Sequence, residues 1–448
     1  MQENNRTEKI NRNINVLVYP AGTEIAFEIH DALKYTKFIT LFGATGVDCH
    51  ADFVFRNCVA GVPFPDSPDL VDALNGIIKQ YDIDFIYPAH DSALKRLSDE
   101  REKLDCSIIV SPKPTVDICR SKNATYAFLK GADYLPETYD IKAVGVPGIA
   151  EAACDIKSYP VFIKPAVGQG SEGARKIYDI EHLEEALSDG TEYTVSEYLP
   201  GKEYTVDCFT DIHGNLRLVN PRTRDRIRAG IAVRSHNLPC TDAVKAIAED
   251  LNSRLSFNGA WFFQLKDNAD GVPKLMEMAP RIAGTMGLTR NLGINMPLLT
   301  LYNCLGFDVG IMNNGGNILL DRAFISRFKT DIKYSRVYVD FDDTIVVKGK
   351  VNACLMMFLY QAKNDGKFIS LLTRHSTNIY ADLEKYCIPA SMFDEIVRMD
   401  STGKKTDYIL PDSIFIDDSF AERKRAAEAC GVPVFDLDMV ESLIDYRV

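Results

Sequence analysis

The first clear pattern along the chain is "INVLVYP", a nearly unbroken apolar run that predicts a buried strand. "GTEIAFEIHDALKY" follows with apolar residues at helical spacing, and "FITLFGA" predicts a second strand. Another helix and strand lie in "LVDALNGIIKQYDIDFIYPAH", so residues 1–115 read as a small parallel α/β domain, closed by the proline-punctuated "VSPKPTVD". From 116 to 328 the period changes. "YPVFIKPAVGQGSEGARKIYD", "EYTVSEYLPGKEYTVDCFTD" and "LRLVNPRTRDRIRAGIAV" alternate in the strand manner between turn residues, which predicts an α+β domain rich in antiparallel strand. "NNGGN" and "SRFKTDIKYSR" predict a linker. Over 333–448 the α/β alternation returns, with strands in "RVYVD", "FISLLT" and "SIFIDD". The expected class is therefore α/β and α+β, multidomain.

Length and composition narrow the picture. At 448 residues, 46% hydrophobic and 25% charged, the chain reads as roughly three globular domains, each able to bury its own core. Its 51 basic and 63 acidic side chains leave a net charge of -12, which opposes a polyphosphate backbone, so no nucleic-acid partner is expected. The eleven cysteines form no CxxC pair and read as small buried residues in a reducing compartment. The polar start "MQENNRTEKINRN" and the lack of any apolar run of membrane-spanning length predict a cytoplasmic protein with no membrane partner.

Two constellations carry chemistry. In the last domain the strand "RVYV" leads into Asp340, with Asp342 and Thr344 close behind. Ligands of open parallel sheets bind beyond the carboxyl ends of the strands, and paired carboxylates there can hold Mg²⁺ or attack and protonate at a phosphoryl centre. Thr373 ends the next strand, "GKKTD" offers Lys404 or Lys405, and Asp417 and Asp418 end a third strand. In this order the segment resembles the haloacid dehalogenase (HAD) superfamily of phosphatases over the last quarter of the chain. The resemblance implies Asp340 as nucleophile, Asp342 as acid and base, Thr373 and Lys405 or its neighbour Lys404 as phosphoryl ligands, and Asp340, Asp342, Asp417 and Asp418 around Mg²⁺. The short intervals between these elements imply a HAD-like Rossmannoid domain without a large cap.

In the middle domain "PVFIKPAVGQGSEG" sets Lys164 at a strand end, before a loop with Gly168, Gly170, Ser171 and Gly173. Glycines let backbone N–H groups approach phosphate oxygens, and lysine supplies a point charge. The spacing differs from the P-loop pattern GxxxxGK[ST]. Glu197 and Glu203 flank a turn, and Gln264 and Glu277 lie on two strands of an expected hairpin. Arg222, Arg224, Arg226 and Arg228 recur at period two, so one strand would point all four to one face; that face is either solvated and acid-paired or an anion clamp. His236 and Trp261 read as structural.

Taken in order, these segments resemble the ATP-grasp superfamily, particularly its carbamoyl phosphate synthetase-like members, preceded by a pre-ATP-grasp Rossmann-like domain. The resemblance implies that Lys122, Lys164, Gly170 and Ser171 bind ATP phosphates, that Glu197, Tyr198 and Leu199 form the adenine hinge, and that Glu203 meets the ribose. Arg224 and Arg228 match the family's arginines best. Gln264 and Glu277 would hold Mg²⁺ and Arg281 would be catalytic, but Ala279 stands where the family has asparagine.

The implied activity is bifunctional: an ATP-dependent ligase joining a small-molecule carboxylate to an amine through an acyl phosphate, and a Mg²⁺-dependent phosphatase acting on a phosphorylated metabolite. A small-molecule kinase and a nucleotide-binding sensor with a degenerate site are the alternatives. Assembly as a homo-oligomer is left open.

Overall fold

The computed structural model describes residues 12–139, 156–168, 170 and 172–447, which divide into two compact units, Met1–Phe324 and Ile325–Val448.

The first unit opens with β1 (Ile14–Tyr19), α1 (Glu24–Leu33), β2 (Ile39–Thr45), β3 (Asn57–Ala60), α2 (Leu70–Tyr81), β4 (Phe85–Pro88), α3 (Asp91–Asp99) and β5 (Ser107–Ile108). The strands form a parallel sheet in the order β3-β2-β1-β4-β5. β1 is buried almost throughout because helices cover both faces, which is why it reads as an unbroken apolar run. Thr23 caps α1 by accepting from the Ala26 N–H.

The order of this sheet reverses between β1 and β4, and the loops after those strands carry Thr23 and His90. A crevice at such a point is a ready ligand site.

α4 (Lys113–Arg120) and α5 (Lys122–Phe128) lead into a four-stranded sheet of β6 (Thr138–Tyr139), β7 (Val161–Pro165), β8 (Arg175–Ile177) and β9 (Tyr193–Glu197). The larger antiparallel sheet contains β10 (Glu203–Thr210) and β11 (Leu216–Thr223). A small sheet follows from β12 (Arg226–Arg228) and β13 (Ile231–His236). β14 (Gly259–Asp267) and β15 (Pro273–Ala279) complete the larger one in the order β11-β10-β14-β15, and β16 (Leu319–Asp321) joins the smaller.

One apolar core joins Val16, Val18 and Ile29 of the first layer to Phe209, Ala260, Ile282 and Met286. The parallel sheet and the antiparallel sheet are therefore packed as one body rather than tethered. A second core holds Trp261, which stacks on Phe257 at 3.9 Å and donates its Nε1–H to Thr210 Oγ1 at 2.9 Å, the structural role expected of it.

The second unit contains β17 (Arg336–Val339), the hairpin β18 (Val346–Val347) and β19 (Lys350–Val351), then β20 (Phe368–Thr373), β21 (Glu395–Arg398), β22 (Ser413–Ile416) and β23 (Val434–Phe435). Its parallel sheet runs β21-β20-β17-β22-β23, so the order reverses between β17 and β22. Between Thr344 and Thr373 the chain holds only that hairpin, the helix Ala353–Asn364 and β20. No helix among the described residues is long and apolar enough to cross a membrane, and the ten described cysteines are free thiols.

Candidate active sites

In the first unit the cavities run from the β9 end to the first sheet. Tyr126, Phe162, Met276, Glu197, Tyr198 and Leu199 line a narrow recess at one end. Glu197 is fixed by accepting from the Glu137 N–H at 3.0 Å, and Lys176 lies 3.9 Å over the Tyr198 ring. The next stretch is lined by Lys122, Lys164, Gly168, Gly170, Glu203, Arg224, Gln264 and Glu277. It opens into a cavity of about 400 Å³ that also reaches Thr23, His90, Asp91, Arg120, Arg222, Ala279 and Arg281. Residues spread over more than 250 positions of sequence thus face one continuous space.

Lys164 lies one residue before the end of β7 and is buried, its Nζ donating to Met276 O at 2.8 Å and Tyr126 Oη at 3.0 Å. Burial pushes its ammonium down to about 8, against the opposing pull of Glu277 and Glu203. Lys122 is held beside it, with Nζ donating to Pro165 O at 3.2 Å, and burial lowers its pKa too. Among the described residues no carboxylate lies in hydrogen-bond reach of either ammonium, and two such cations next to a glycine loop suit an incoming polyanion.

The loop itself is set by backbone geometry. Gly230 has φ +73°, and a Cβ there would fall 2.1 Å from the Gly170 carbonyl, so the glycine loop meets the turn between β12 and β13 without a side chain between them. Ser171 lies outside the described residues.

Gln264 and Glu277 lie on the two strands of the expected hairpin, and a register shift between Gln264 and Leu265 sets them directly opposite each other across β14 and β15. Glu172, which the sequence reading did not single out, lines the same stretch, so Glu277 is not the only carboxylate facing it. Glu172 sits inside the glycine loop itself, and its place in "GQGSEG" was the available signal. Ala279 is packed with Phe262 and Ala283 in a small apolar cluster.

The arginine expectation needs correction. The run is not one strand: β11 ends at Thr223, and β12 belongs to a different sheet. Arg222 is completely buried and donates to Asp207 at 3.0 Å, which also accepts from Thr289 Oγ1 at 2.6 Å. Arg224 pairs with Glu203 at 2.6 Å and donates to Gly230 O at 2.9 Å, so these two predicted ligands hold each other. Arg226 pairs with Asp321 at 2.8 Å, and Arg228 is exposed with its guanidinium 4.9 Å from the Phe324 ring. The structure brings Arg222 and Arg224 to the cavity and leaves Arg226 and Arg228 out of its lining.

Arg281 is gripped through Nε and Nη2 by both carboxylate oxygens of Asp91, at 2.7 and 2.5 Å. Burial alone would raise the Asp91 pKa, but the guanidinium outweighs it and holds the carboxyl below its ordinary range. His236 sits between Asp225 and Thr223, a structural place.

In the second unit Asp340 follows β17 and Asp417 follows β22, at the reversal of strand order. Lys405 Nζ lies 2.7 Å from Asp340 Oδ1 and 2.6 Å from Asp417 Oδ2; of the two candidate lysines it is the one that reaches the carboxylates. Asp340, Asp417 and Asp418 bring carboxylate oxygens within 4.8 Å of one another, a spacing and an all-oxygen donor set that fit Mg²⁺. Burial, reinforced by Asp417 and opposed by Lys405, pushes Asp340 up to about 6. Thr344 Oγ1 donates to Asp418 at 3.2 Å.

Asp342 points elsewhere. Its side chain is 54% exposed and accepts from His375 Nδ1 at 2.9 Å, while His375 Nε2 is 2.7 Å from Asp382 Oδ2. It is therefore not part of the close carboxylate group. His375 was missed from sequence because it follows Thr373 by two residues in an apparent loop; its own N–H donates to Thr373 Oγ1 at 3.1 Å.

Comparison with known proteins gives a family match over part of the chain. Residues 190–314 match a family described as ATP-grasp in the biosynthetic pathway with Ter operon, a span that contains β10 to β15. Solved structures then show the same fold over about two thirds of the chain. Biotin carboxylase of Campylobacter jejuni, in a β-γ-ATP complex, is 15% identical over 66% of this chain and 72% of its own, with a TM-score of 0.55. An L-amino acid ligase from Bacillus licheniformis is 20% identical over 66% of this chain and 74% of its own, at 0.51. N5-carboxyaminoimidazole synthetase from Staphylococcus aureus, complexed with ADP, is 14% identical over 67% and 79%, at 0.54. A comparison with curated proteins gave no match.

Proposed function

We propose that the first unit is an ATP-dependent ligase and the second a Mg²⁺-dependent phosphomonoesterase. The observation that carries the ligase reading is the single space shared by Lys122, Lys164, the glycine loop and the opposed pair Gln264 and Glu277. ATP would lie with its base in the Tyr198 recess and its phosphates between the two lysines, and the acid would enter from the end lined by Thr23, His90 and Arg120. That three neighbours of this fold carry ATP-type ligands or a ligase name supports the assignment. Mg²⁺ bound by Glu277 and Gln264 would neutralise charge on the phosphates. The chain's own share is to exclude water and position the carboxylate against the γ-phosphoryl group, whose bond to ADP would break as the acyl phosphate forms; an amine would then attack the acyl carbon, lose a proton and displace phosphate.

The phosphatase reading rests on the cluster of Asp340, Lys405, Asp417 and Asp418. Asp340 would attack phosphorus as the ester P–O bond breaks, Asp342 would turn from His375 to protonate the departing oxygen, and water would then release phosphate. Mg²⁺ at the cluster would hold the phosphoryl oxygens and offset their charge.

A screen for ADP release against carboxylic acids paired with amines tests the first half. Release without any amine points to a kinase instead, and ATP binding without turnover to a sensor, the reading favoured by the apolar packing of Ala279. For the second half, hydrolysis of an aryl phosphate must need Mg²⁺ and vanish in Asp340→Asn.

A further inference from the structure

A second cavity, of about 460 Å³, lies over the carboxyl ends of β20 and β21 in the second unit, on the flank of the Asp340 cluster. Its lining includes Arg374, Arg398 and Arg425, with Ser376 and Ser401. Thr373 and Arg398 are direct neighbours across β20 and β21, and His375, which touches Asp342, lines the same cavity.

The charge there is unbalanced. Glu422 lies between Arg374 at 3.2 Å and Arg425 at 2.5 Å, and can neutralise one of them. Asp400 is engaged by the hydroxyl and N–H of Thr402 and by the Gly403 N–H. Arg398 directs Nε and Nη2 to the neutral carbonyls of His375 and Ser376, at 3.0 and 3.1 Å, which leaves its positive charge in place. Against two carboxylates the cavity sets three guanidiniums, in a chain whose overall charge is -12. Guanidinium forks suit carboxylate and phosphate oxygens, and a basic cleft in an acidic protein concentrates anions.

We propose that this cavity is a specificity subsite: the substrate is a phosphomonoester carrying a second anionic group, seated among Arg374, Arg398 and Arg425 while its phosphoryl group lies at Asp340. The assignment rests on the phosphatase reading of the second unit. With little chain between the motif strands to cover the centre, recognition falls to the rim of the sheet, and this basic cavity is on that rim.

The test uses the full-length protein and measures kcat/KM for matched esters: phenyl phosphate against 4-carboxyphenyl phosphate, and glycerol 3-phosphate against 3-phosphoglycerate. A third comparison, with 1,4-phenylene bisphosphate, tells a phosphate tail from a carboxylate. The tailed ester is preferred, and the preference shrinks as ionic strength rises. The ratio of tailed to plain ester falls about threefold in Arg425→Ala, whose side chain is 63% exposed, and about tenfold in Arg398→Gln/Arg425→Ala; Arg425→Lys recovers part of it. Because each ratio is taken within one variant, a general loss of fold cancels. Equal rates for tailed and plain esters in the wild type, or a preference that survives the double change, overturn the subsite while leaving the phosphatase standing. If no ester is hydrolysed at all, both readings fall.

Discussion

Replacing Lys164 with methionine should make the protein more stable and a worse binder of ATP. The ammonium is buried, and its pKa drops from an ordinary 10.5 to about 8. Converted at 1.36 kcal/mol per unit, holding the charged lysine costs the folded state about 3 kcal/mol at neutral pH. The sign follows from proton counts. Below about pH 8 both folded and unfolded chains carry the charge and the cost is fully present; between about 8 and 10.5 only the unfolded chain does, so stability rises with pH and the cost disappears.

Methionine fills similar volume without the charge. Tyr126 Oη keeps its bonds to Leu275 O and Met276 O, at 3.1 and 3.0 Å, so neither former partner of Lys164 is left bare. After discounting the two lost lysine bonds, a net gain of about 1–2 kcal/mol remains, or a rise of a few degrees in the melting midpoint. ATP affinity moves the other way. Losing a charged hydrogen bond to phosphate costs about 1.5–3 kcal/mol, which is about 10- to 150-fold in Kd. Calorimetric titration and thermal melts from pH 7 to 9.5 read both effects. Wild-type binding should weaken above pH 8 as Lys164 loses its proton, whereas the variant should lack that step. A variant that melts lower, or binds ATP as tightly as the wild type, would refute the reasoning.

Arg281→Met takes from the half-buried Asp91 its two-pronged partner and should destabilise the first unit by about 1–3 kcal/mol in denaturant melts, much of which Arg281→Met/Asp91→Leu should restore. Gly230→Ala puts a Cβ into the Gly170 carbonyl at a positive φ, so it should lower stability by about 1 kcal/mol or more and loosen ATP binding; unchanged calorimetric Kd would mean that this contact does not set the glycine loop. His375→Gln keeps a donor near Asp342 but breaks the link to Asp382, so kcat for phosphate esters with poor leaving groups should fall more than for 4-nitrophenyl phosphate; an equal fall would place His375 outside proton delivery.

Much of the layout was legible in the sequence because its periodicities are local. β1, α1, β2 and α2 fall on the stretches whose pattern predicted them, and Asp340, Thr373 and Asp417 stand at strand ends because each follows an apolar run closed by a polar residue. Gln264 and Glu277 also fall on the two strands of a hairpin that the pattern predicted, but their direct opposition comes from a register shift between Gln264 and Leu265 that the pattern does not carry.

What only the tertiary structure decided are the partners that charged side chains take from distant parts of the chain. Period two placed four arginines on one face, but β11 ends at Thr223, which leaves Arg222 on one sheet, Arg224 between strands and Arg226 and Arg228 on another sheet, and Asp207, Glu203 and Asp321 claim three of them. The choice of Lys405 over Lys404, the grip of Asp91 on Arg281 across 190 residues, and the turning of Asp342 to His375 have the same origin. A strand pattern fixes which way a side chain faces. The charge it meets there depends on which other segment the apolar cores bring alongside, and no local pattern carries that information.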